Sequence, residues 1–481
     1  MTVDRSLHRL LITTFLFSPS YDSTFMAVSA PVLGTSLDAP QLVTWTYDLT
    51  EEEKVDMQTA IQHFFGRTLL GGDFSIEASR SRVDQVKLWE APQAFNWESH
   101  KRSWWRYLES LIPHLAEVGF TALWLPPPSS SLAPQGYLPK DLYCLDSDYG
   151  TESELRNVLQ VINAKGLRAM ADIVINHRVG SRQGAGGYYN RYDGSSMPWD
   201  ENAVTADSGG HGNPSTGEVF GGVPNVDHTK DFVRKDITKW LKWLLEGVGY
   251  RDLRFDYAKG YKPDFVKEYI KAVCPSFCVG EYWDTCHYVE GGSQLDYNQD
   301  SHRQRIIDWI DKTGGLSGAF DFTTKAILQE ALKRGELWRL RDHQGRPPGL
   351  VGMWPSRAVT FLDNHDTGST QAHWPFPPEH VLKGYAYILT HPGLPMVFYD
   401  HFYEWGNAVH DAICTLITLR KQQDLHSRSS IRILEASNGL YAAIIDEKVC
   451  MKLGPGDWHP RLGEWDLVTS GHEYAVWAKK R

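Results

Sequence analysis

The chain has 481 residues, 42% hydrophobic and 22% charged, and a formal net charge of −10. That length exceeds one average domain, although a barrel of alternating strands and helices can fill roughly 250 residues or more as one unit. The acidic balance argues against a nucleic-acid or anionic-membrane partner, because phosphate backbones demand a basic face, and no apolar run reaches the roughly 18 residues of a membrane span.

The first 39 residues read as a targeting segment or a disordered tail. Arg5, His8 and Arg9 precede a short apolar stretch at 10–17, which is followed by Ser/Thr-rich, acid-poor sequence. Val28-Ser29-Ala30 suits a small-residue cleavage site. Thr13 and Thr14 dilute the apolar stretch, which favours organelle transit over secretion. Residues 40–85 form an N-terminal extension without an assigned role, with a helix start at Thr50-Glu51-Glu52-Glu53 followed by Val55, Ile61, Phe64 and Phe65.

From Val86 onward, short apolar strands alternate with amphipathic segments. Eight strand candidates begin at Val86, Phe120, Arg168, Tyr250, Phe277, Gly318, Ala358 and Pro395. Between them, WWRYLESLIPHLAEVG puts Tyr107, Leu108, Leu111, Leu115 and Val118 on one side. SELRNVLQVINAKG places Leu155, Val158, Leu159 and Ile162 at helical spacing and ends in Gly166, a C-cap residue. DFVRKDITKWLKWLLEGVG repeats the pattern with Ile237, Leu241 and Leu244. Eight strand–helix units predict a (β/α)8 TIM barrel over residues 86–425. Residues 177–228, rich in Gly, Asn, Asp and Ser, are too long for an ordinary loop and read as an irregular domain inserted after the third strand. Residues 426–481 carry the short runs IRILEA, LYAAIID, KVCMKLG, WDLVTS and YAVWAKK, which predict a C-terminal antiparallel β domain. Six cysteines, Cys144, Cys274, Cys278, Cys286, Cys414 and Cys450, are scattered without CxxC spacing, so unpaired thiols are expected.

In such a barrel, chemistry sits at the C-terminal ends of the strands. The third strand ends in Asp172-Ile173-Val174-Ile175-Asn176-His177-Arg178. The fourth carries Arg254 and Asp256 on one side, because strand side chains alternate. A guanidinium beside a carboxylate holds it ionised, and an ionised Asp is a competent nucleophile. Glu281, beside Tyr282 and Trp283 on the fifth strand, is expected to be partly desolvated and kept protonated, as a general acid needs. The seventh strand gives Asn364-His365-Asp366. Asp366 can stabilise positive charge on a sugar ring, and His177 and His365 can donate to hydroxyls. Two carboxylates with pKa values pushed apart suit retaining glycoside hydrolysis.

These motifs resemble an α-amylase of the barrel glycosidase family, close to its plant and green-lineage branch. The carrying segments are ADIVINHR (171–178), RFDYAKGY (254–261), VGEYW (279–283) and FLDNHDTGSTQ (361–371), supported by FNWES (95–99), LWLPPPS (123–129) and QGYLPKDLY (135–143). The resemblance implies Asp256 as nucleophile, Glu281 as acid/base and Asp366 as transition-state stabiliser. It implies sugar contacts from Arg254, His177 and His365, stacking by Tyr137, and a leaving-side hydroxyl contact from Lys259. The implied substrate is starch or a related α-1,4-glucan, cut internally without an organic cofactor. A monomer is expected, and the N-terminal composition favours a plastid over a secreted or cytosolic setting. A catalytically inactive glucan-binding or regulatory protein, or a transglycosylase of the same family, is the alternative.

The sequence departs from the family at two places. Such amylases hold structural calcium (Ca2+) between barrel and insertion, and Asn176 and the Gly260 carbonyl match ligand positions. Relatives carry acids at the places of Ser215, Val219 and Asn225, and here Glu218 is merely adjacent, so weak calcium dependence is expected. Asp193, Asp200 and Asp207 offer a generic second cation group. Paired Trp residues of a surface starch platform are reduced to Trp354, which predicts weaker granule adsorption.

Overall fold

The computed structural model describes residues 90–289, 291–292 and 294–480, together with the backbone of 25–28 and 43–46. The chain divides into two units, Met1–Ser75 and Ile76–Arg481. In the first, Phe25–Val28 pairs antiparallel with Val43–Thr46. The charged start at Arg5, the apolar stretch at 10–17 and the helix expected after Thr50 lie outside the described residues.

The second unit is built on eight parallel strands: β1 (Ala91–Gln93), β2 (Ala122–Trp124), β3 (Arg168–Ile173), β4 (Asp252–Phe255), β5 (Phe277–Gly280), β6 (Gly318–Phe320), β7 (Ala358–Thr360) and β8 (Leu394–Phe398). They close in sequential order, with Met396 of β8 opposite Ala91 of β1. Helices cover the outside, so both faces of the sheet are buried and the strands are mostly apolar, interrupted by Gln93, Asp172, Asp252 and Arg254. The helices are α1 (Trp104–Val118), α2 (Glu152–Ala164), α3 (Asp231–Trp243), α4 (Pro263–Val273), α5 (Asp300–Lys312), α6 (Phe322–Arg334), α7 (Val381–Thr390) and α8 (Asn407–Gln422).

Local chemistry fixes the helix ends. Thr151 caps α2 by accepting from the Glu154 N–H, and the Glu154 carboxylate accepts from the Thr151 N–H at 2.8 Å. The α1 stripe is rotated from the expected one: Trp104, Trp105, Leu108, Ile112 and Leu115 are buried, whereas Tyr107 and Leu111 are half-buried. After α3, Leu244–Val248 widens into a π turn that ends at left-handed Gly249.

Residues 177–228 leave after β3 and return before α3. Short 3-10 turns and isolated bridges at His177–Asn225, Arg182–Arg191 and Val204–Val226 hold them. Their small core is aromatic: the buried Arg178 guanidinium lies 4.5 Å from the Tyr192 ring and 5.2 Å from that of Trp199.

At the C-terminal end, β9 (Ile431–Ser437), β10 (Leu440–Ile445), β11 (Val449–Leu453), β12 (Trp465–Gly471) and β13 (Tyr474–Lys479) form an antiparallel sheet ordered β9-β10-β11-β13-β12. All six cysteines are free. Trp354 is half-buried, packed against the core beside Arg357, so it is not an exposed platform.

Candidate active site

The ends of β3, β4, β5 and β7 bring the predicted residues together around one buried cation. Arg254 is fully buried. Its Nη1 lies 2.6 Å from Asp256 Oδ1 and 2.7 Å from Asp172 Oδ1. Its Nη2 is 2.8 Å from Glu281 Oε1, an ion pair without hydrogen-bond alignment. The Trp124 ring sits 4.9 Å from the guanidinium. Parallel register makes this cluster: Asp172 on β3 is opposite Arg254 on β4. The ladder continues past the strand ends, because Asp256 N–H donates to the Ile173 carbonyl and Glu281 N–H to that of Phe255, both at 3.0 Å.

Burial pushes the Glu281 carboxyl up to about 8, Asp256 to about 7 and Asp172 to about 6, with Arg254 pulling each down. The ion pair expected to keep Asp256 ionised is present, but burial outweighs it, because one positive charge is shared among three carboxylates. Glu281 is thereby held protonated, as a general acid requires.

Asp366 is the most accessible of the acids. Its Oδ1 accepts from Gln371 Nε2 at 2.7 Å, and its Oδ2 faces His365 Nε2 at 3.4 Å. Burial lowers the His365 pKa to about 4, which leaves the ring neutral. Gln93 Nε2 donates to His365 Nδ1 at 2.7 Å, and Gln93 Oε1 accepts from the His365 N–H at 3.2 Å. Nδ1 is therefore an acceptor, and the ring proton sits on Nε2, toward Asp366. The His365, Tyr137 and Trp97 rings are nearly parallel, with centroids 5.0 to 6.0 Å apart. The Tyr137 hydroxyl donates to Asp172 Oδ2 at 2.7 Å, which orients its ring.

Two of the predicted sugar-contact residues have partners in the protein itself. His177 Nε2 is bonded to the Tyr137 carbonyl at 2.8 Å, and Phe220 stacks on its ring at 4.1 Å. Lys259 Nζ lies 2.8 Å from Glu218 Oε2, which leaves it further N–H donors, while the Tyr257 hydroxyl donates to Glu218 Oε1 at 2.9 Å.

Asp256, Glu281, Asp366, Tyr137, His177, His365 and Lys259 all line one cavity of about 470 Å3, with Trp97 and Phe220 as further walls. A second cavity of about 390 Å3 shares Lys259, Trp283 and His373 with it. The two adjoin across these residues. Trp283 stacks with Trp374 at 6.5 Å there.

Asn176 and Gly260 adjoin each other behind the cavity, but they do not fit calcium. A hard cation needs several oxygen donors, mostly carboxylates. Among the described residues, no three His, Cys, Asp or Glu side chains group to hold a metal. Asp193 is paired with Arg182, Asp200 caps the Asn202 N–H, and Asp207 accepts from Ser215, so the generic second group is dispersed.

Sequence reasoning gave no role to Gln93, Asp172, Phe220 or Gln371. A polar residue in an apolar strand was the available signal for the first two. Phe220 and Gln371 lie in irregular segments without a period.

A (β/α)8 barrel whose mouth gathers buried carboxylates around one arginine, beside an aromatic-lined cavity, defines a glycoside hydrolase. The profile "Alpha amylase, catalytic domain" matches residues 105–303, and "Alpha-amylase C-terminal beta-sheet domain" matches residues 422–478. "Probable alpha-amylase 2" of Arabidopsis thaliana is 65% identical over 387 residues, covering 80% of this chain and 93% of that protein. "Alpha-amylase 3, chloroplastic" of the same plant is 50% identical over 391 residues, covering 80% of this chain and 43% of that longer protein. In fold, an Anoxybacillus alpha-amylase superposes with a TM-score of 0.58 at 16% identity, over 83% of this chain and 99% of that one. The chain belongs to the alpha-amylase family.

Proposed function

We propose that the chain hydrolyses internal α-1,4-glucosidic bonds of starch and related α-glucans, with retention at the anomeric carbon. The observation that carries this reading is Arg254, whose two terminal nitrogens touch Asp256 and Glu281 at once. That shared contact holds both carboxyl groups at one guanidinium, and supports the retaining reading, which needs them about 5 Å apart.

Asp256 attacks the anomeric carbon while Glu281 delivers its proton to the leaving oxygen. Glu281, now ionised, then takes a proton from water, which releases the sugar from Asp256. Asp366 and the neutral His365 face the ring, stabilising its positive charge and binding a hydroxyl. The nearly parallel Tyr137 and Trp97 rings offer flat apolar surface to a pyranose. The adjoining cavities, walled by Trp283 and Trp374, suit a chain running past the site, hence endo-cleavage.

No step needs an organic cofactor, a nucleic acid or a membrane, and the protein acts as a monomer. Among the described residues no helix is long and apolar enough to cross a membrane. The acid-poor start of the chain and the chloroplastic label of one relative support a plastid location.

Incubation with soluble starch tests this. New reducing ends, a rapid fall in polymer mass and a product released first as the α-anomer are expected. A β-anomer refutes retention, and altered chain length without new reducing ends refutes hydrolysis.

A further inference from the structure

The insertion meets the barrel at the place where the family resemblance puts calcium. In the stretch NPSTGEVFGGVPNV (213–226), Glu218 is the sole carboxylate, and it is engaged with Lys259 and Tyr257. A different set of bonds fastens the join.

Asn225 is its hub. The Phe220 N–H donates to Asn225 Oδ1 at 3.0 Å, and Asn225 Nδ2 donates to the Phe220 carbonyl at 2.9 Å. This pair of bonds fixes which way the amide points. Asn225 Oδ1 then accepts a second proton from Asn176 Nδ2 at 3.0 Å, reaching from the insertion to the end of β3. The main chain continues the seam: Val226 N–H donates to the Asn176 carbonyl at 2.9 Å, and Asn225 N–H donates to Ser208 Oγ at 2.8 Å.

A hard cation held here needs several oxygen donors, mostly carboxylates; Asn176 Nδ2 is spent on Asn225, and its Oδ1, which lies against Gly260, is a single neutral donor. The Gly260 side is filled by backbone. A Cβ added to Gly217 would lie 2.3 Å from the Lys259 carbonyl oxygen and 2.6 Å from the Gly260 carbonyl carbon. The Glu218 N–H donates to that same Lys259 oxygen at 3.0 Å.

We infer that a metal-free amide latch, Asn176–Asn225–Phe220, fastens the insertion to the barrel in place of a cation. It thereby fixes the stacked His177–Phe220 wall of the catalytic cavity.

Thermal melts of the full chain in excess EDTA and in excess calcium test the latch, alongside metal analysis of the protein. The wild-type Tm is expected to be the same in both, with no stoichiometric calcium retained. Asn225→Asp removes the donor to the Phe220 carbonyl and places a carboxylate beside Asn176. Its Tm falls by several degrees in EDTA and recovers with calcium. Asn225→Ala, which carries the test if the Asp variant does not fold, lowers Tm equally in both solutions. A wild-type Tm that drops on chelation, or an Asn225→Ala protein that melts with the wild type, overturns the inference.

Discussion

Replacing Glu281 by Gln separates the chemistry of the site from its cost in stability. The buried carboxyl stays protonated up to about 8, against an ordinary value of 4.5. Below the ordinary value both the folded and unfolded chains carry the neutral acid, and Gln is a neutral stand-in. As pH rises through the window from 4.5 to about 8, the unfolded chain releases the proton while the folded chain keeps it. Folding must then take up a proton, and stability falls by roughly 1.4 kcal/mol per pH unit. The Glu281→Gln protein carries no such loss. The variant is therefore expected to gain on the wild type as pH rises, by at most about 5 kcal/mol, or roughly 5 °C in Tm for a chain of this size. Starch cleavage should fall by about 10² to 10⁴, the usual worth of a general acid. Calorimetric melts of both proteins from about pH 4.5 to about pH 8.5, paired with reducing-end assays, read both effects. A Tm gap that stays constant or narrows with rising pH refutes the assignment of Glu281 as the buried, protonated acid.

Asp256→Asn is expected to cut starch hydrolysis by at least about a thousandfold while the protein melts no lower than wild type, as activity and calorimetry together check. Gln93→Ala frees His365 Nδ1 and should lower kcat about tenfold with little change in KM, the worth of one orienting hydrogen bond. Trp283→Ala removes an aromatic wall shared by both cavities; KM for long glucans should rise about tenfold and that for short oligosaccharides less. Thr151→Ala breaks the α2 capping box and should cost about 1 kcal/mol of stability, seen as a small fall in Tm with unchanged activity.

The barrel was legible because each strand is a short apolar run between amphipathic segments, and all eight candidates correspond to barrel strands. Their lengths were overestimated: the run from Phe120 contributes a strand over Ala122–Trp124 only, since ladder bonds form just where neighbours overlap in register. The strand-end acids were legible because a carboxylate that interrupts an apolar run is conspicuous, and Arg254 two residues before Asp256 marks a shared face. What such patterns cannot carry is a partner far along the chain. Gln93 reaches His365 across 272 positions, and Glu218 reaches Lys259 from the insertion. The partner of His177 Nε2 is a backbone carbonyl, which has no sequence signature.

The Gln93–His365 contact joins β1 to β7, with β8 lying between them. Closure of the barrel and orientation of the imidazole are thus a single event. While the ribosome is still adding the last strands, His365 has no neighbour to set its tautomer. Full rate of cleavage therefore awaits the meeting of the two ends of the sheet.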